Sequence, residues 1–122
     1  MATEQKHVVV AGGGVGALEA VLALRDLVGD AVSVELVAPA ESFVFAPMTV
    51  AAPFDRGGAA RYPLADFARE QGAALRTDAV ASVEPGVRTL VTAGGERVPY
   101  DALLVAIGAR TVDGVDGAVM FP

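Results

Sequence analysis

The sequence predicts an α/β domain, a parallel sheet built on a β-α-β unit with a three-stranded β-meander attached. An apolar, β-branched run, Val8-Val9-Val10, enters four glycines within five positions and then an amphipathic helical series. A second β-branched run, Val32 to Val37, closes the unit within about thirty residues. Two hairpin signals, Pro85-Gly86 and Gly94-Gly95, then separate short strands before a closing apolar run, DALLVAI.

Each element has its own local reason. Lys6 to Ala11 is apolar on both faces, as the middle strand of a parallel sheet is. A helix is expected over Val15 to Val28, because Ala17, Val21, Leu24 and Val28 fall on one face. Gly29 stands where that helix should stop. The stretch from Ala38 to Arg61 holds Pro39, Pro47, Pro53 and Gly57-Gly58 and reads as one long irregular loop. Pro63 suits the first position of a second helix, with Asp66 in its first turn, Leu64, Phe67 and Ala68 on its apolar face, and Gly72 as its stop. The meander strands are expected at Ala79 to Val83, Arg88 to Thr92 and Glu96 to Pro99, and the last sheet strand at Asp101 to Ile107, ending at Gly108.

Composition narrows the function classes. With 122 residues, 53% of them hydrophobic, and a mean hydropathy of +0.50, the chain can bury one sizeable core, so a single domain is expected. The longest apolar runs reach roughly ten residues, too short to span a bilayer, and MATEQKH has no apolar signal core. A cytoplasmic location without a transmembrane segment is the expectation. The absence of cysteine excludes disulfides, thiolate metal sites and cysteine nucleophiles within this chain, and a single histidine excludes the common zinc spacings and any Ser-His-Asp arrangement. A net charge of -6 with nine scattered Lys and Arg offers no basic face for nucleic acid.

The glycines carry the chemistry. Gly12, Gly14 and Ala17 match the first, third and sixth positions of G-x-G-x-x-G/A between a strand and a helix, the Rossmann-like arrangement for a dinucleotide. The first glycine permits the sharp turn. The next lets the backbone approach a pyrophosphate with no Cβ in the way, and a small sixth residue lets helix and strand pack closely. The phosphates then meet the free N–H groups and positive dipole end of the helix, which adds Val15 and Gly16 to the candidate set.

VVVAGGGVGALEA, VELVAPAESFVFAPM, TDAVASVEP and DALLVAIGAR together resemble the amino-terminal part of flavoproteins of the pyridine nucleotide-disulfide oxidoreductase superfamily, in the branch of sulfide:quinone reductases and type II NADH dehydrogenases. The resemblance covers nearly the whole chain. It implies that the glycine motif holds the diphosphate of FAD and that the strand at Ala79-Val80 reaches the adenine through its backbone. It also implies that Ala106-Ile107-Gly108 stands for an A-T-G motif of the family, with Ile107 replacing Thr, and that the Pro47 region passes close to the flavin ring. The residue after strand two should meet the adenosine ribose, where the family places Asp or Glu. The preferred register puts Ala38 there, followed by Pro39. A shorter helix would put Glu35 there instead, and Glu41 is a further carboxylate in the loop.

By the same resemblance the chain is expected to be part of an FAD-binding domain, with the nicotinamide-binding and carboxy-terminal parts absent. NAD(P)H is then a co-substrate of the intact enzyme, which would sit in the cytoplasm or peripherally on a membrane. Self-association or a completing chain is expected at the open edge. A stand-alone module binding a dinucleotide or ADP without catalysis is the alternative. His7, Glu19 and the pair Arg61-Tyr62 read as solvated surface residues. Phe43, Phe45 and Phe54 fit either a flavin shield or a cover for the core.

Overall fold

The computed structural model describes residues 5–44, 61–109 and 114–117. In chain order the elements are β1 (Lys6–Ala11), α1 (Val15–Val28), β2 (Val32–Ala38), β3 (Ser42–Val44), β4 (Arg61–Pro63), α2 (Leu64–Glu70), β5 (Ala74–Thr77), β6 (Val80–Glu84), β7 (Thr89–Thr92), β8 (Arg97–Pro99) and β9 (Ala102–Val105). Four of them form an all-parallel sheet in the order β5-β2-β1-β9. β6, β7 and β8 form the expected antiparallel meander, and β3, inside the stretch expected to be irregular loop, is a strand because it pairs with β4.

The continuous apolar run of β1 is explained by its place between two packed layers. Val8 and Val10 face the helices, packing with Leu18, Val21, Leu36, Leu64 and Phe67. Val9 and Ala11 face the meander, packing with Val37, Leu90 and Val98. Each such Val or Leu side chain, fully buried, stabilises the fold by about 1.5–3 kcal/mol. The order of layers is therefore helices, sheet, meander, and alternate residues of β1 and β2 serve the two sides.

The meander-side layer also buries charge. Glu35, in mid-β2, is only 8% exposed. Its carboxylate accepts a hydrogen bond from Arg76 Nε at 3.0 Å, and the His7 Nε2 atom lies 3.1 Å away. The His7 ring also meets Ser33 Oγ at 2.6 Å, and Arg76 pairs in addition with Glu96 on the meander. His7 is thus half-buried in a polar cluster and not a solvated strand end. A buried carboxylate is tolerated only when paired and hydrogen-bonded, and here it is both.

At the opposite end of the sheet from β1's glycines, the Arg25 guanidinium ties three elements together. It donates to the carbonyls of Gly29 (2.8 Å), Val32 (3.2 Å), Gln71 (2.7 Å) and Gly72 (3.0 Å). These are carbonyls where α1 ends, where β2 begins and where α2 ends, groups that a helix terminus leaves without intrahelical donors.

Element boundaries depart from expectation in a few places. β2 extends one residue further, to Ala38, and α2 begins at Leu64 with Pro63 as its N-cap. β9 is shorter than the apolar run that announced it. Val28 stays exposed at the end of α1, where Gly29 (φ 54) turns the chain away. β5 was not anticipated: four residues, ALRT, with one apolar side chain facing the helix-side core, form a strand because they pair with β2 from Glu35 to Ala38.

Arg25→Met should lower the unfolding free energy by about 2–4 kcal/mol, the cost of several carbonyls losing a charged donor. Arg25→Lys should recover only part, because one ammonium cannot reach four acceptors as a planar fork does. Urea denaturation of the three proteins measures both.

Candidate functional site

The C-terminal ends of β1, β2 and β9 open onto a cleft of about 300 Å³ lined by Gly12, Gly13, Val37, Pro39, Ala40, Ala79, Val80 and Ile107. Ligand sites of parallel sheets form in this position, outside the carboxyl ends of the strands.

The glycine turn makes the floor. Gly12 adopts φ +140, and a Cβ there would lie 2.1 Å from the Ala106 carbonyl oxygen and 3.3 Å from Ala17 Cβ. The first glycine is therefore required by both the backbone angle and the close passage of the chain after β9, and the fully buried Ala17 must be small for the same reason. At Gly13 a Cβ would come within 3.0 Å of Ala38 Cβ and 3.2 Å of Leu64 Cδ1, so packing against α2 restricts this position too. Gly14 differs. It is exposed, it is the N-cap of α1, and a Cβ built on it meets nothing within 4 Å. The protein has no need of a glycine there, whereas a phosphate lying across the turn would.

Above Gly14, α1 begins with no side-chain cap and no acidic residue in its first turn. Its first N–H groups have no intrahelical acceptors, and the helix dipole adds positive charge at the same place. A helix start of this kind, next to the cleft-lining Gly12 and Gly13, favours negative charge.

The facing wall is held by Asp78. Its Oδ1 accepts the Ala79 N–H at 2.8 Å, its Oδ2 accepts the Gly94 N–H at 3.2 Å, and the Thr92 hydroxyl donates to it as well. The Ala93 N–H adds a bond to the Ala79 carbonyl at 2.8 Å. One carboxylate thereby fixes Ala79 and Val80 against the turn between β7 and β8. The Thr92 hydroxyl, followed by the Ala79 and Gly94 amides, holds the Asp78 carboxyl below the usual aspartate value.

Of the residues named from the sequence, Gly12, Pro39, Ala79, Val80 and Ile107 line the cleft. Gly14, Val15 and Gly16 form the exposed start of α1, while Ala17 and the partly buried Ala106 pack beneath the turn. Gly108, at φ +77, redirects the chain after Ile107. The Ala38 side chain is fully buried in the helix-side core, so this residue reaches the site only through its carbonyl, which accepts the Asp78 N–H at 3.0 Å. Pro39 supplies the surface at that point. Glu35, the other candidate for the end of β2, lies three residues inside the strand and is committed to Arg76. Pro47, Phe45 and Phe54 fall outside the described residues. Phe43 packs against the helix-side core, and Tyr62 donates to Glu70 on the surface at 2.6 Å. Gly13, Val37, Ala40 and Asp78 belong to the site and were not named from the sequence. Asp78 carries no local signal, because one of its donors is sixteen residues away at Gly94.

The family model described as pyridine nucleotide-disulphide oxidoreductase matches residues 5–120. A sulfide-quinone reductase of Aquifex aeolicus is 32% identical over 117 residues, covering 92% of this chain and 26% of the relative. The crystal structure of sulfide:quinone oxidoreductase from the same bacterium superimposes with a TM-score of 0.85 at 30% identity, with 92% of this chain and 26% of that one covered. A ferredoxin reductase from Rhodopseudomonas palustris shares the fold, with a TM-score of 0.75 at 24% identity over 92% of this chain and 28% of its own. The chain thus spans about a quarter of the length of these proteins.

Gly14→Val should leave stability within about 0.5 kcal/mol, as surface substitutions do, and abolish adenine-nucleotide binding. Thermal melts and titration calorimetry with ADP read the two effects separately. Because its folded-state pKa is lowered, Asp78 contributes stability that is complete above the ordinary aspartate value of ~3.9 and is lost as pH falls through the lowered value. Asp78→Asn should therefore lower the urea midpoint at neutral pH and flatten its fall below about pH 4.

Proposed function

Because the chain belongs to the pyridine nucleotide-disulphide oxidoreductase family, we propose that its cleft holds the ADP half of FAD in an oxidoreductase that passes electrons from NAD(P)H or sulfide to a quinone-type acceptor. The observation that carries this reading is the open space over Gly14 at an uncapped helix start. A structural turn would tolerate a side chain there, and a diphosphate would not.

The residues present fit the group. Gly14 lets the diphosphate approach the backbone over the turn that Gly12 and Gly13 shape, and the N–H groups of Val15 and Gly16 would face its charge. The apolar walls formed by Val37, Pro39, Val80 and Ile107 suit an adenosine, with the Ala79-Val80 backbone alongside the base. Ala106 and Gly108 carry the chain around the phosphate end. A bound flavin supplies the two-electron chemistry, and the share of this chain is to bind, orient and neutralise. That these residues continue a sulfide:quinone type of enzyme is supported by the similarity to the Aquifex aeolicus proteins.

A quinone acceptor would bring the whole protein to a membrane surface peripherally from the cytoplasm. Among the described residues no helix is long and apolar enough to cross a membrane. Leu104 and Val105, on opposite faces of the edge strand β9, are 40% and 56% exposed. We assign this edge to self-association or to a completing segment.

ADP should compete with FAD on the 122-residue chain with affinities within about tenfold, since the contacts available here reach only the ADP end. NADH oxidation by quinone should run no faster than with free FAD, because nothing described here positions a nicotinamide. Titration calorimetry and stopped-flow absorbance test these. Tight FAD binding that ADP cannot displace, together with turnover, would overturn the assignment of the cleft to the ADP half.

A further inference from the structure

The end of β2 is where a dinucleotide site of this kind ordinarily places an Asp or Glu, whose carboxylate accepts a hydrogen bond from the ribose 2′-hydroxyl. Here that end is neutral. Ala38 is buried, and the residues that face the cleft after it are Pro39 and Ala40. Pro39 has no N–H to offer and Ala40 no polar side chain.

Among the described residues, two of the nearest carboxylates are engaged elsewhere and a third stands outside the cleft lining. Glu35 is buried with Arg76 and His7 on the meander side of the sheet. Asp78 is engaged by the Ala79 and Gly94 N–H groups and the Thr92 hydroxyl. Glu41 is exposed and is not among the cleft-lining residues, and its backbone carbonyl is tied to the Leu64 N–H at 2.9 Å, fixing the chain toward α2.

From this we infer that the cleft recognises an adenosine diphosphate without reading its ribose 2′-hydroxyl, so that 2′-deoxyadenosine diphosphates are ligands as good as their ribo counterparts. The inference rests on the proposed function, because it needs an adenine nucleotide in this cleft. Affinity then comes from the diphosphate on the start of α1 and from the base between apolar walls. The sugar is a spacer.

The test is titration calorimetry of the 122-residue chain with ADP and with 2′-deoxy-ADP. The expected result is a ratio of dissociation constants below about fivefold, smaller than the roughly tenfold or greater effect of a hydrogen bond to a charged group. A larger ratio with ADP still binding would overturn the inference and leave the proposed function standing. If neither nucleotide binds, both fall. Pro39→Asp puts a carboxylate at the exposed end of β2 and should create a preference for ADP of about tenfold. A folded Pro39→Asp chain that binds both nucleotides equally would overturn the placement of the ribose against β2, and the inference with it. Glu41→Gln should change neither affinity by more than about twofold. A selective loss of ADP binding in that variant would assign the hydroxyl to Glu41 and overturn the neutral-ribose reading.

Discussion

The contact on which the rest of the structure depends is the passage of the Gly12 backbone beneath the Ala106 carbonyl, so close that no side chain fits between them. Parallel strands β1 and β9 pair up to Ala11 and Val105, and the Ala106 N–H then bonds to the Ala11 carbonyl at 2.7 Å. At the next step β1 must leave the sheet to start a helix while the other chain is still in contact. Only a residue without Cβ, at a φ that L side chains rarely adopt, can turn there. The same turn brings Ala17 against Gly12, which sets the height of α1 above the sheet, and it leaves the first amides of α1 facing the strand ends. Helix packing and the shape of the cleft are consequences of one backbone crossing.

A second organising feature is where the charges go. The protein carries a net charge of -6, an unpromising background for a polyanionic ligand, yet none of the described residues lining the cleft carries a carboxylate side chain. Glu35 is taken into the meander-side layer by Arg76, and Asp78 is turned toward backbone amides. Acidic groups near the site are thus spent on positioning its walls. The local field is left to the helix start, where backbone dipoles act at short range and are little affected by distant surface charge screened by salt.

Much of this was legible in the sequence, for identifiable reasons. β1 and α1 were readable because their periodicities are strong and a glycine run separates them. The meander was readable because its turns are marked by Pro-Gly and Gly-Gly. β5 was not, since four residues with one inward apolar side chain become a strand only through the neighbour they pair with. The glycine turn beside the cleft followed from motif spacing alone. The wall at the end of β2 did not, because which of Ala38 and Pro39 presents its side chain depends on the exact strand end and the face it lies on. His7 and Glu35 were equally hidden, as partners that only parallel registration of β1 and β2 brings together.

The strand order has a consequence for how the chain reaches this state during synthesis. β1 is made first, but its partner on one side is β9, and the bond between the His7 N–H and Asp101 Oδ2 spans 94 residues of sequence. At a translation rate of about 5–20 residues per second, an emerging β1 can pair with β2 early and then wait on the order of ten seconds with its other edge open. During that interval the nascent chain exposes the β-branched edge Val8-Val9-Val10, the kind of surface that invites pairing with another chain. The yield of folded protein then depends on how long that edge stays open as well as on the stability of the finished domain.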